Sequence, residues 1–176
     1  AEFATGRNIY GRNDGAYIYH GSKMTSFTFH SIDKTQQFAK ELAQKLHPGS
    51  VVGLIGNLGT GKTTFTQGFA QGLGVDDHVI SPTFKLVSEY NGTHSSLFHI
   101  DCYRLDHHDE FLNIGGEHFL NPTEGITLIE WAERIKPFWR DDWIFLHFDR
   151  IESKPNTRTI QISGIESVSY THLTLT

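Results

Sequence analysis

A single cysteine, Cys102, in a chain of 176 residues excludes an intramolecular disulfide, and with it the small secreted scaffolds that depend on one. No run approaches the roughly 18 to 20 apolar residues of a membrane-spanning helix, so membrane association is not expected. A basic then apolar leader is also missing from the early residues, and the expected compartment is the cytosol, making the protein cytoplasmic. Basic charge is scarce. With 15 Lys and Arg against 20 Asp and Glu, the formal charge of -5 argues against a dense basic stripe, and so against direct capture of DNA or RNA. The Asn-Lys-x-Asp pattern that reads guanine does not occur, which disfavours a regulatory GTPase. Repeats, heptads and low-complexity tracts are missing as well.

What is present suffices for one core and not for two, with 38% hydrophobic residues. The only methionine, Met24, follows a stretch rich in Gly, Asn, Arg and Tyr with no helical or strand period. Residues 1-23 are therefore expected to be a non-native or disordered extension, and residues 24-164 a single domain. Residues 168-176 read like a translated sequencing adaptor, so 165-176 is expected to be a non-native tail. The alternative is a disordered N-terminal tail and an ordinary terminal strand.

Residues 26-30 alternate as a strand, and Ser31 can cap a helix whose Phe38, Leu42 and Leu46 recur every fourth position. Pro48 and Gly49 end it. The short apolar run 51-55 predicts a strand buried on both faces, and from Thr63 a second helix aligns Phe65, Phe69 and Leu73, with Gly74 as its left-handed cap. Runs 84-90 and 96-101 flank Asn91-Gly92, a hairpin signal. A glycine-interrupted helix is expected over 109-120, and a buried strand over 126-131 with an acid near its end. Runs 143-148 and 157-162 predict two edge strands joined by a turn at 154-156. The expected fold is α/β: a three-layer sandwich whose mixed sheet has a parallel core plus an antiparallel hairpin and edge strands.

Between the first buried strand and the second helix stands Gly56-Asn57-Leu58-Gly59-Thr60-Gly61-Lys62-Thr63, a complete phosphate-binding loop. Glycines let backbone N-H groups approach phosphate oxygens, and the helix N-terminus adds a favourable dipole. Leu58, Gly59, Thr60, Gly61, Lys62, Thr63 and Thr64 are thus the candidate nucleotide-binding residues. Lys62 is placed for the β and γ phosphates, Thr63 for Mg2+ and Thr64 for the α-phosphate side. Such loops need a second acid at the end of a buried strand. Asp101 and Glu130 both qualify, the alternative for either being a pairing with Arg104 or a place facing solvent. Ser81-Pro82-Thr83 lies where loops that sense a γ-phosphate sit, although a proline turn with a hydroxyl cap has the same composition. Trp131 fits a core position better than a base-stacking one on spacing alone. His94, His99, Cys102, His107 and His108 cluster without the spacing of a zinc site, and the histidines are expected to be solvated loop residues.

Taken in order, Gly59 to Thr64, Ser81-Pro82-Thr83-Phe84, His99-Ile100-Asp101-Cys102-Tyr103-Arg104 and Ile129-Glu130-Trp131 resemble the TsaE (YjeE) family of bacterial tRNA threonylcarbamoyladenosine biosynthesis ATPases. The likeness spans about Met24 to Gly164. It implies a P-loop NTPase fold, slow hydrolysis of ATP with Mg2+, and assembly with TsaD and TsaB, tRNA being met only through that complex. It further implies that Lys62 and Thr63 bind phosphate and Mg2+, that Glu130 is the second metal-site acid, that Trp131 lies by the nucleotide, and that Asp101 and the switch-like Thr83 serve activity. Thr35 and Arg158 are weaker candidates for the adenine side. Cys102 stands where the family commonly has an apolar residue between the Asp and the Tyr, and His107-His108 follow Leu105-Asp106 where it often has Ala-Asp-Pro. A P-loop small-molecule kinase is the rival reading; it would need a lid and a catalytic base, and neither is evident.

Overall fold

In the computed structural model of the protein, which describes residues 24–164, the expectations for 1–23 and 165–176 lie outside the described residues. Strand β1 is Thr25–Phe29, and Ser31 then starts helix α1, Ile32–Lys45, by accepting from the Lys34 N-H at 3.2 Å. Leu46 is already extended and caps the helix from outside, one residue short of the expected period. Strand β2, Val51–Ile55, is buried throughout, and the glycine-rich loop leads directly into α2, Lys62–Gly72. Strands β3, Val87–Tyr90, and β4, Ser96–Asp101, follow, then a short helix α3, Asp109–Asn113, and a 3₁₀ turn at Gly116–Leu120. Strand β5, Gly125–Glu130, leads into a second 3₁₀ segment, Ala132–Phe138, and β6, Ile144–Ile151, and β7, Lys154–Ser163, close the described chain.

These strands form one seven-stranded sheet ordered β1-β7-β6-β2-β5-β4-β3. Its centre is parallel, with β2 between β5 and β6 and β4 beside β5, while β3 pairs antiparallel with β4, and β7 with both β6 and β1. The two C-terminal strands are therefore internal, not edges. Phe145, Leu146 and Phe148 in β6 are buried on alternating faces, as a strand covered on both sides requires, and β1 shields β7 by pairing from Thr25 to Phe29. Among the described residues the edges are β1 and β3. The turn between β6 and β7 is also displaced, because Ile151 pairs with Lys154 beyond a register shift, leaving Glu152-Ser153 as the turn.

One apolar cluster lies under α1 and α2 and gathers Phe38, Phe65, Phe69, Leu97, Leu128 and Phe148. The other lies under α3 and the 3₁₀ segments and includes Ile100, Phe111, Ile129, Ile135 and Trp143. Helix α1 packs against α2 backbone to backbone. A methyl group at Gly68 would lie 2.5 Å from the Gln36 carbonyl oxygen, and one at Gly72 only 2.4 Å from that of Lys40, so both positions exclude any larger residue.

The antiparallel hairpin is present, but Asn91-Gly92 is not a two-residue turn. Residues 91–95 span the connection, and Gly92 forms an antiparallel bridge with Val75. Its missing side chain matters for approach, since a Cβ there would stand 2.3 Å from the Leu73 carbonyl oxygen. Strand β3 starts at Val87 because Lys85 and Leu86 first turn back onto the Pro82 carbonyl, and Leu86 takes a left-handed φ of 65°.

Candidate nucleotide and metal site

The C-terminal ends of the parallel strands β2, β4 and β5 converge beside the head of α2, the edge of such a sheet where ligands bind. Gly61, with φ 100°, caps α2, and that left-handed backbone frees the first N-H groups of the helix to point outward. Buried Thr60 closes the loop by donating to the Asn57 carbonyl at 2.8 Å, while Leu58 stands exposed at its apex. Gly59 and Thr64 border the same cradle, Thr64 half-buried in the first turn of α2.

Lys62 folds back over the loop. Its Nζ donates to the carbonyls of Gly56 at 2.5 Å and Asn57 at 2.9 Å, and it lies 4.0 Å from the centre of the Trp131 ring. Burial pulls its pKa down, while Glu133, Glu130 and Asp101 oppose that shift. Trp131 follows β5 with φ 57° and rests against Tyr103, ring centres 5.0 Å apart. It is half-buried at the rim of the loop, which makes it a wall of the site as well as part of the second cluster.

Asp101 and Glu130 are register partners at the ends of β4 and β5. Glu130 is almost fully buried. Its Oε2 accepts from the Thr63 hydroxyl at 3.0 Å, and its Oε1 lies 2.9 Å from His99 Nε2 and 3.2 Å from the Thr66 hydroxyl. Asp101 is held differently: Oδ2 accepts from Ser81 and from Thr83 at 3.0 Å, and Oδ1 accepts from the Tyr103 N-H at 2.9 Å. The Ser81-Pro82-Thr83 segment is thus tied to one acid and the phosphate-loop helix to the other. A hydroxyl and a carboxylate at the head of α2 are hard oxygen donors, and this donor set fits Mg2+.

The structure brings Lys62, Thr63, Glu130 and Trp131 together around the loop, with Asp101 and Thr83 one strand away. Thr35 sits buried in the first turn of α1, its hydroxyl donating to the Ser31 carbonyl at 3.2 Å. Arg158 reaches the loop from β7, its Nε 3.3 Å from where a Cβ on Gly61 would lie. In the histidine and cysteine cluster, His99 departs from the expectation of solvated loop histidines, and Cys102 is likewise out of solvent. Cys102 is buried, and burial raises its thiol pKa; His99 is fully buried in β4. His94 and His107 are exposed, and His108 half-buried.

Three residues at this site were given no role there by the sequence: His99, which stood only in the histidine cluster and in the motif around Asp101, Thr66 and Glu133. The first two meet Glu130 only through the pairing of β4 with β5 and the packing of α2. Glu133, two residues past Trp131, has its carboxyl pKa raised by burial, against the pull of backbone N-H groups and Lys62, and its Oε2 has no hydrogen-bond partner among the described residues.

Residues 29–160 match the family model described as threonylcarbamoyl adenosine biosynthesis protein TsaE. A Bacillus subtilis protein named tRNA threonylcarbamoyladenosine biosynthesis protein TsaE is 44% identical over 104 residues, covering 59% of this chain and 64% of the relative, a little under two thirds of its length. The protein of the same name from Haemophilus influenzae is 37% identical over 129 residues, which is 70% of this chain and 81% of that one. Among solved structures, the crystal structure of Bacillus subtilis YdiB superposes with a TM-score of 0.69 at 31% identity, over 82% of this chain and 88% of that chain.

Proposed function

Because the chain belongs to the TsaE family of threonylcarbamoyl adenosine biosynthesis proteins, we propose that it binds and slowly hydrolyses ATP with Mg2+ to serve formation of N6-threonylcarbamoyladenosine beside the anticodon of tRNA. In this reading it acts in the cytoplasm with TsaD and TsaB, and the acidic chain meets tRNA only through that assembly. The observation that carries the proposal is the 3.0 Å bond from Thr63 to Glu130, which pairs a phosphate-loop hydroxyl with a buried strand-end carboxylate.

The residues divide the work as follows. Backbone N-H groups from Gly59 to Thr64 cradle the phosphates, and Lys62 releases the Gly56 and Asn57 carbonyls to reach the β and γ oxygens. Leu58, Thr60 and Gly61 shape that cradle, and Trp131 walls the nucleotide. Thr63 and Glu130 hold the cation, which when bound neutralises charge developing on the phosphate oxygens. Asp101 keeps Ser81 and Thr83 oriented toward the γ-phosphate side, so hydrolysis is felt by that segment.

ATP hydrolysis by protein beginning at Met24, measured alone and with TsaB and TsaD, tests this alongside threonylcarbamoylation of tRNA by the mixture. Modification that requires both this protein and ATP is the expected result. Hydrolysis that never supports modification would instead favour phosphoryl transfer to a small molecule.

A further inference from the structure

His99 occupies a place where the fold calls for an apolar residue. On β4, Leu97 joins the cluster beneath α1 and α2, and on the neighbouring strand so do Ile126 and Leu128; His99 shares that face, opposite Leu128 in register. It is completely buried there. A buried imidazole is costly unless its polar atoms are satisfied. Only half of this one is: Nε2 lies 2.9 Å from Glu130 Oε1, while Nδ1 has no hydrogen-bond partner among the described residues.

The arrangement fixes the role of Nε2. Glu130 offers an acceptor, so Nε2 carries an N-H and donates, whereas Nδ1 faces no donor or acceptor among the described residues. The donation falls on Oε1. That oxygen also lies 3.2 Å from the Thr66 hydroxyl, whereas Oε2 faces Thr63 at the phosphate loop. Thr66 has a competing acceptor in the Lys62 carbonyl at 3.0 Å, and its single proton cannot serve both, so His99 is the constant donor to Oε1.

Resting on the reading of Glu130 as the metal-site acid, we propose that His99 is a positioning residue: its Nε2-H anchors Glu130 Oε1 and thereby presents Oε2 to the divalent cation beside Thr63. Side chains behind a metal ligand typically change metal affinity or activity by about 10- to 100-fold when removed. His99 therefore acts on the cation and not on the nucleotide.

Two variants test this. His99→Phe keeps a ring in the cavity and removes the donor, and His99→Gln returns an amide N-H at a similar reach. Binding of a fluorescent ATP analogue is measured in EDTA and across a Mg2+ titration. The expected result is unchanged affinity in EDTA for both, a Mg2+ midpoint raised by about tenfold or more in His99→Phe, and substantial recovery in His99→Gln. An unmoved midpoint, or an equal loss in EDTA, overturns the proposal.

If His99→Phe gives no cooperative melt, wild-type protein labelled with 15N-imidazole decides, the His99 signals being those missing from His99→Gln. They should move on adding Mg2+ to the nucleotide-bound protein; signals that stay still would overturn the assignment. Glu130→Gln separates this idea from the reading beneath it. A Mg2+ midpoint unaffected by Glu130→Gln sinks both, whereas a midpoint raised by Glu130→Gln but not by His99→Phe sinks the positioning role alone.

Discussion

Glu130 and Asp101 end adjacent strands in direct register, are equally buried, and lie within the field of the same lysine, yet they are held by different kinds of structure. Glu130 is gripped by regular elements, with His99 in the sheet and Thr63 and Thr66 on α2. Asp101 is gripped mainly by a loop, through two hydroxyls two residues apart. The loop continues into Phe84, which is 83% exposed and covered on one face by the Arg104 guanidinium, 4.1 Å from its ring centre. Sheet and helix pin a carboxylate in place, while a loop makes it a latch. The first acid suits a fixed cation position, and the second suits a contact that opens and closes.

The largest test removes the charge that both acids face. On the proposed function, Lys62→Ala should reduce ATP turnover by on the order of 100-fold or more, measured with purified TsaB and TsaD present, because the cation proposed to meet the transferring phosphate is gone. Glu130→Gln should lower Mg2+-dependent hydrolysis by about 10- to 100-fold without lowering the melting temperature appreciably. If the contrast holds, Asp101→Ala acts elsewhere: amide exchange over residues 81–86 should quicken by about tenfold, as charge-assisted bonds to Ser81 and Thr83 are lost, with little change in the Mg2+ midpoint. Equal shifts of the Mg2+ midpoint in both variants would erase the distinction between pin and latch.

The smallest effect concerns Glu133, which also faces Lys62 but has no partner on Oε2 among the described residues. Its folded-state pKa is raised, chiefly by burial, so its contribution to stability is present below the ordinary carboxylate value and is lost as pH rises through the raised one. Glu133→Gln should therefore melt about 2 °C higher than the parent near pH 7, with the gain vanishing near pH 4, as followed by thermal denaturation.

Much of this site was legible because it is contiguous. The loop, its flanking strand and its helix are consecutive in the chain, and spacing alone places Lys62 and Thr63 on the first turn of α2. The strand-end acids were legible too, since apolar runs lead into each. His99 was not. Its neighbours in sequence, His94 and His107, are exposed, and only the β4–β5 pairing carries it to Glu130. The C-terminal strands were misplaced for a related reason: sequence order put them last, whereas β6 pairs with β2 and β1 covers β7. The apolar run at Ile144 to Phe148 was the available sign that β6 is covered on both faces.

Gly68 and Gly72 let α1 and α2 touch along their backbones, and this joins the fate of one helix to that of the other in time. Neither can loosen while its neighbour stays put, so their amides should exchange as one cooperative unit, with a shared opening free energy. Since α2 begins at Lys62, fraying of the first helix is then a tax on the loop at the head of the second, and ligand captured at that loop should slow hydrogen exchange as far as the C-terminal turns of α1.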